Sequence, residues 1–229
     1  MQANYTLWLN GNSLVFIDDT VSVSRAETLL NIQLAAYLTA NKGHAIQDDE
    51  WHRNYLRVQS NFGCTIVNMQ SRPVAEKNAT ACEPWQILRA NLLTGVPSTL
   101  REPLAQCLDA YPAQSDGAIE QLLAGECIRP PDDKGMSHVR IELRLILADS
   151  SIISTELGFS TAGALTGDWL RQPLTLASDQ STQQFDAHYQ TDEKVIHSIS
   201  AGLHDSIKVK QLQYRSQIKP VVALGVEHE

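Results

Sequence analysis

Nowhere in these 229 residues is there an apolar run long enough to cross a bilayer as a helix, which takes about 20 consecutive residues. The most apolar-rich stretch, 28–40, is interrupted by Asn31, Gln33 and Thr39. The opening residues MQANYTLWLNG lack the basic and apolar regions of a secretory signal, so a cytoplasmic chain is expected, with signal-independent secretion left open. Without such a signal, the N-x-[ST] triplets at Asn4 and Asn78 are chance matches. Basic residues are also scarce: 18 Lys and Arg stand against 26 Asp and Glu, for a net charge of −8. Nucleic-acid binding needs a phosphate-neutralising surface, so that class is set aside. The one basic concentration, Lys208, Lys210, Arg215 and Lys219, reads as the wet face of a strand and its flank. Cysteines number four, at 64, 82, 107 and 127, and none forms a C-x-x-C pair. That excludes the common zinc-finger spacings and a dense disulfide scaffold, and leaves reduced thiols as the expectation.

What the chain does have is ordinary globular material, 43% hydrophobic and 19% charged, enough for a sizeable core. Its clearest pattern runs from Ser137 to Gly167. Val139, Ile141, Leu143, Leu145 and Leu147 share one parity, and His138, Arg140, Glu142 and Arg144 share the other. Strand side chains alternate between faces, so this predicts one apolar face and one solvated, charge-laddered face. Asp149-Ser150-Ser151 supplies a turn, and Ile153, Thr155, Leu157 and Phe159 continue the alternation. A hairpin with an apolar face needs cover, and the rest of the chain offers mostly amphipathic helices.

Taken in order, 4–9 and 13–18 flank Asn10-Gly11-Asn12, a hairpin signal. Ser24 and Glu27 fit a capping box for a helix near 25–41, closed by Asn41-Lys42-Gly43. Trp51, Tyr55, Val58 and Phe62 mark one face of a second helix, capped by Asp48 or Asp49 and stopped by Gly63, before a short strand at Cys64–Met69. A polar connector, 71–83, leads to helical patterns at 84–94, 98–110 and 116–125. Ser160–Leu165 suits a third strand or an exit loop, 173–184 a polar loop, and Phe185–Tyr189 a strand or a helix start. Val195 to Leu203 predicts a helix and Ile207–Tyr214 a strand. The tail from Val221 is weakly specified.

Leu30-Asn31-Ile32-Gln33-Leu34-Ala35-Ala36, with Ala40-Asn41-Lys42, Trp51, Tyr55 and Phe62-Gly63-Cys64, resembles a motif of an uncharacterised family of bacterial and fungal α+β proteins. Its pattern is an L-N-x-x-L-x-A-x-L-A-A-N-K helix followed by a W-x3-Y helix. The resemblance spans roughly residues 25–65; His52 and Cys64 stand where aromatic residues are commoner. It implies that the N-terminal helices and sheet form one compact α+β unit, and it supplies no catalytic residue.

For chemistry, Asp186, His188, His197 and His204 form the most enzyme-like group. His197 and His204 lie seven apart, two helical turns, whereas zinc ligands on a helix usually stand four apart. Exposed histidines on a polar face are the plainer reading, and no metal or other cofactor is expected. Cys64 and Cys127 are nucleophile candidates only if a histidine lies in reach and the thiol pKa is lowered; buried small hydrophobes are the plainer reading. Gly158–Gly163 lacks the ending of a phosphate loop, and no G-x-S-x-G elbow occurs. Glu142 and Glu156 would be a solvated ladder with Arg140 and Arg144. Trp169 is the best candidate for an exposed aromatic.

The sequence therefore predicts an α+β fold: a mostly antiparallel sheet from N- and C-terminal strands, covered on one side by the helices of 25–62 and 84–125. One domain over 1–229 is expected, with a helical segment at 84–125. The leading functional reading is a non-enzymatic binding or interaction protein, with a protein partner or a second copy as candidate partners. A secreted effector acting at a membrane or host surface comes next, which keeps peripheral membrane contact open. A small hydrolase using Cys or His comes third.

Overall fold

The structure, a computed structural model, describes residues 5–73, 83–114, 118–162, 165, 167–174 and 183–218, with the backbone alone at 111–114 and 118–120. Residues 74–82 of the connector expected at 71–83, residues 175–182 of the polar loop expected at 173–184, and residues 219–229, which include the weakly specified tail from Val221, lie outside the described residues. The elements run β1 (Tyr5–Asn10), β2 (Ser13–Asp18), α1 (Val23–Ala40), α2 (Asp49–Asn61), β3 (Cys64–Pro73), α3 (Pro84–Gly95), α4 (Ser98–Gln114), α5 (Ala118–Cys127), β4 (Ile128–Arg129), β5 (Met136–Ile146), β6 (Ile152–Ala162), β7 (Gln183–Thr191), α6 (Glu193–Tyr214) and β8 (Arg215–Ile218). The strands form one eight-stranded sheet in the order β3-β7-β6-β5-β2-β1-β8, with β4 against β5. Every pairing is antiparallel except β2 with β5. The α+β class and the mostly antiparallel sheet are as the patterning predicts.

The β1–β2 turn needs its glycine twice over. Gly11 has φ +60°, and a Cβ there would come within 2.7 Å of the Tyr37 ring. The central hairpin also forms as the alternation predicts: β5 pairs β6 from Met136↔Ala162 to Ile146↔Ile152. The optional third strand at 160–162 is the end of β6.

The cover differs from the expectation, because helices pack on both faces rather than one. Val139, Ile141, Leu143, Leu145 and Phe159 share a core with Trp85, Leu88 and Leu92 of α3, Leu104 and Leu108 of α4 and Leu123 of α5. Val15, Ile17, Ile146, Ile152 and Tyr189 share the other with α1, α2 and α6. The face of β5 expected to be wet therefore lies under a helical layer, and Arg140, Glu142 and Arg144 are buried.

Three local corrections follow from the same packing. Helix α1 starts before Ser24: Ser22 is its N-cap, without a side-chain hydrogen bond, and the Ser24 carbonyl accepts from Thr28 Oγ1 at 2.9 Å. The predicted strand at 207–214 is the second half of α6, where Leu203, Ile207 and Tyr214 continue one helical face inward from Ile196 while Val209 and Leu212 project outward. Trp169 is buried, not exposed. It packs in the α3–α5 core, and the adjoining Leu170 carbonyl accepts from Trp85 N at 2.8 Å, which clamps this loop to the start of α3.

Candidate functional site

Between β5–β6 and α2 lies a buried ionic layer. Glu142 accepts from Tyr55 Oη at 2.6 Å, Ser13 Oγ at 2.7 Å and Arg144 Nη2 at 2.8 Å. Arg144 also donates to Gln59 Oε1 at 2.7 Å and lies over the Tyr189 ring. Glu156 accepts from Arg140 Nη1 at 2.5 Å and stands 3.1 Å from His52 Nδ1; Arg140 donates to the Ile46 carbonyl at 2.6 Å and covers the Trp51 ring. The expected ladder does exist, but its charges are paired inside the protein. Burial alone would raise the Glu156 pKa; the His52 and Arg140 charges and hydrogen bonds outweigh it and hold the carboxyl at about 2, below its ordinary 4.5. A lowered folded-state pKa stabilises fully above about pH 4.5 and is lost as pH falls toward 2. Stability should therefore fall over that window, and Glu156→Gln should flatten the fall in urea midpoints measured from pH 5 to pH 2. Parallel pH profiles for the two proteins would contradict this assignment.

The motif residues near the N-terminus tie the helices together. Trp51 Nε1 donates to Asn41 Oδ1 at 2.7 Å, and Trp51 and Tyr55 stack with centroids 5.2 Å apart. Asn31 Oδ1 accepts from Gln211 Nε2 at 2.8 Å and from Arg215 Nη2 at 2.9 Å. Their spacing thus answers a packing need: the W-x3-Y pair locks α2 onto the end of α1, and Asn31 locks α6.

Sequence candidates for chemistry are not brought together as one centre. Asp186 and His188 alternate on β7 and share a recess with Arg72 and Asn91 on the α3 side of the sheet. His197 is exposed on α6, and His204 lines a shallow crevice with α1 and contacts Gln211, both in the opposite layer. Cys64 is buried in the α1–α2–α6 core, and burial lifts its thiol to about 11. Cys127 is buried in the other core with its pKa raised by burial and by Glu126; its Sγ donates to the Asn12 carbonyl at 3.5 Å. Both are protonated thiols, the opposite of an activated nucleophile. Among the described residues, no group of three or more His, Cys, Asp or Glu is placed to hold a metal ion.

A concavity that no motif announced lies among the helices of the α1–α2–α6 layer. A groove of about 960 Å³ is lined by the C-terminal half of α1, the end of α2, the α5–β4 junction and the second half of α6. Leu38, Val58, Phe62, Leu203, Ile207 and Tyr214 give it apolar walls. Its charged lining is Lys42, Arg129 and Lys210 against Glu126. Glu126 is engaged by Tyr37 Oη, which donates to its Oε2 at 2.6 Å. Three cations to one carboxylate is a local reversal in a chain of net charge −8.

No family model matches the sequence, and a search of curated proteins finds no match. Solved structures with a weak likeness to this chain include the following two. One is a delta-endotoxin, 9% identical over 80% of this chain and 83% of that one, with a TM-score of 0.46. The other is the activated Cyt2Ba monomer from Bacillus thuringiensis subsp. israelensis, 7% identical over 80% of this chain and 99% of that one, also with a TM-score of 0.46. No helix among the described residues is long and apolar enough to cross a membrane.

Proposed function

We propose that this chain is a non-enzymatic binding protein, and that the α1–α2–α6 groove takes one molecule of an amphiphile with an anionic head. The observation that carries the reading is the groove's combination of apolar walls and a cationic rim. Its volume, about 960 Å³, sits at the upper end of the range for small-molecule sites. An acyl chain would replace water along Leu38, Val58, Phe62, Leu203 and Ile207, while the head would sit near the flexible ammonium groups of Lys42 and Lys210.

Isothermal titration with laurate below its micellar concentration tests this. Laurate should bind saturably at one per chain, and dodecyltrimethylammonium, with the same chain and the opposite charge, should bind far more weakly. Lys42→Glu with Lys210→Glu should weaken laurate about tenfold or more, since close charge pairs in a partly desolvated site carry coupling energies of that order. Both lysines are exposed, so the double variant should keep its melting temperature. Equal binding of the two amphiphiles would remove the charge argument.

A second reading, contact of α6 with a membrane or host surface, is favoured by Val209 and Leu212, which are 77% and 88% exposed on that helix. Co-sedimentation with phosphatidylglycerol vesicles separates the two. Vesicle binding that is lost in Val209→Ser/Leu212→Ser, with no binding of free laurate, would favour the surface reading.

A further inference from the structure

On the face of the sheet opposite the groove, β3, β7 and the end of α3 enclose a second recess of about 200 Å³, lined almost wholly by polar side chains. Its composition depends on one inserted residue. The β3–β7 register runs from Ile66↔Tyr189 to Asn68↔His188, leaving Val67 as a bulge. Ile66 and Tyr189 belong to the α1–α2–α6 core. Beyond the bulge Asn68, Gln70 and Arg72, of the same parity as Ile66, line the recess on the other face beside His188 and Asp186. Without the bulge these three side chains would point to the opposite layer.

Two further features shape the cavity. Gly95, the last residue of α3, faces His188: a Cβ there would stand 3.1 Å from His188 Nε2 and 3.1 Å from Ile153 Cγ2. The Asp186 carboxylate is oriented through Oδ2 by Arg72 Nη2 and Gln184 Nε2, each at 2.6 Å. Its Oδ1 is buried and has no hydrogen-bond partner among the described residues, an acceptor in want of a donor. Arg72 and Asp186 cancel in charge, and the other lining groups are amides, a hydroxyl and an imidazole.

From this geometry we propose that the recess binds one neutral polyhydroxylated ring, a monosaccharide unit. A charged ligand would meet a site of zero net charge, whereas adjacent hydroxyls both donate and accept, which matches planar amide, carboxylate and guanidinium groups. One ring hydroxyl would donate to Asp186 Oδ1 after a turn of the carboxylate brings that buried atom to the recess, and another would accept from Asn91 or Gln70. The site lies across the sheet from the amphiphile groove and does not depend on that assignment.

The test is saturation-transfer NMR, followed by titration, with the methyl glycosides of glucose, galactose, mannose and N-acetylglucosamine, and then the same sugars at the ends of immobilised glycans. At least one glycoside should bind saturably. Its affinity should fall at least tenfold in Asp186→Asn and in Asn91→Ala, and laurate should not displace it. Asn91 is a half-buried surface position, so that variant tests the site even where Asp186→Asn unfolds. Binding of immobilised glycans but not of free glycosides would place the recess on a longer chain and overturn the single-ring claim. No binding of any sugar, or binding unchanged in both variants, would overturn the site itself.

Discussion

Replacing Arg144 with Met should destabilise the protein by about 3–5 kcal/mol, the cost typical of removing one partner from a buried ion pair. Arg144 is 1% exposed and its neighbour Glu142 likewise 1%. With the guanidinium gone, Glu142 keeps Tyr55 and Ser13 as donors but loses its counter-charge, and Gln59 loses the donor to its Oε1. Burial by itself would lower the Arg144 pKa; Glu142 outweighs it and pushes the value up, so the side chain stays charged at all ordinary pH. The double change Glu142→Leu/Arg144→Met should recover part of the loss, because it removes both charge-desolvation penalties together while leaving the buried Tyr55 hydroxyl without its acceptor. Urea denaturation of both variants measures this. A single-variant loss under about 1 kcal/mol is the behaviour of a solvated pair and would contradict the burial of this layer.

Leu143→Ala should cost about 2–5 kcal/mol, the range for truncating a fully buried leucine. Leu143 is 0% exposed and sits among the α3–α5 core residues. It is adjacent in sequence to Arg144 and faces the opposite layer, so β5 is held from both sides. Both single variants should be damaging for unrelated reasons, one a cavity and the other an orphaned charge. A Leu143→Ala cost under about 1 kcal/mol would mean that this face is not a core.

The contrast between these residues shows how far the sequence could be read. Period-two alternation located β5 and β6 and identified the apolar face correctly, because the α3–α5 core asks only for hydrophobes. The polar face was misread because alternation carries no information about what covers it. The signal lay elsewhere: His52, Tyr55 and Gln59 sit on the inward face of α2, so this helix brings hydrogen-bonding groups to the sheet. Paired opposite charges on a strand, facing a helix with polar inward residues, is the pattern of a buried layer. For 207–214 the short alternation of Ile207 and Val209 masked the longer helical spacing of Leu203, Ile207 and Tyr214. Trp169 looked exposed because its loop is polar, yet Trp85 at the start of α3 fixes that loop against the core.

The candidate sites were less legible still. Asp186 and His188 could be paired by alternation, but their neighbours Asn68, Gln70 and Arg72 reach them only through the Val67 bulge, which leaves no mark in local composition. The groove draws on α1, α2, the α5–β4 junction and α6, segments spread along the sequence from the first helix to the last. Lys42 and Arg129 stand outside the basic concentration that holds Lys210 in the sequence, and the three form a cationic rim only once folded.

Filling the groove tests the functional claim most directly. Ser206 lines it from α6 at an exposed position, and its Oγ donates to the Leu203 carbonyl one turn back in the same helix, so Ser206→Trp should occupy the space without disturbing a core. Titration of laurate into the two proteins, with melting temperatures recorded alongside, should show one saturable site in the native chain and none in Ser206→Trp at an unchanged melt. Equal laurate binding by both proteins would contradict the assignment of the groove as the ligand site.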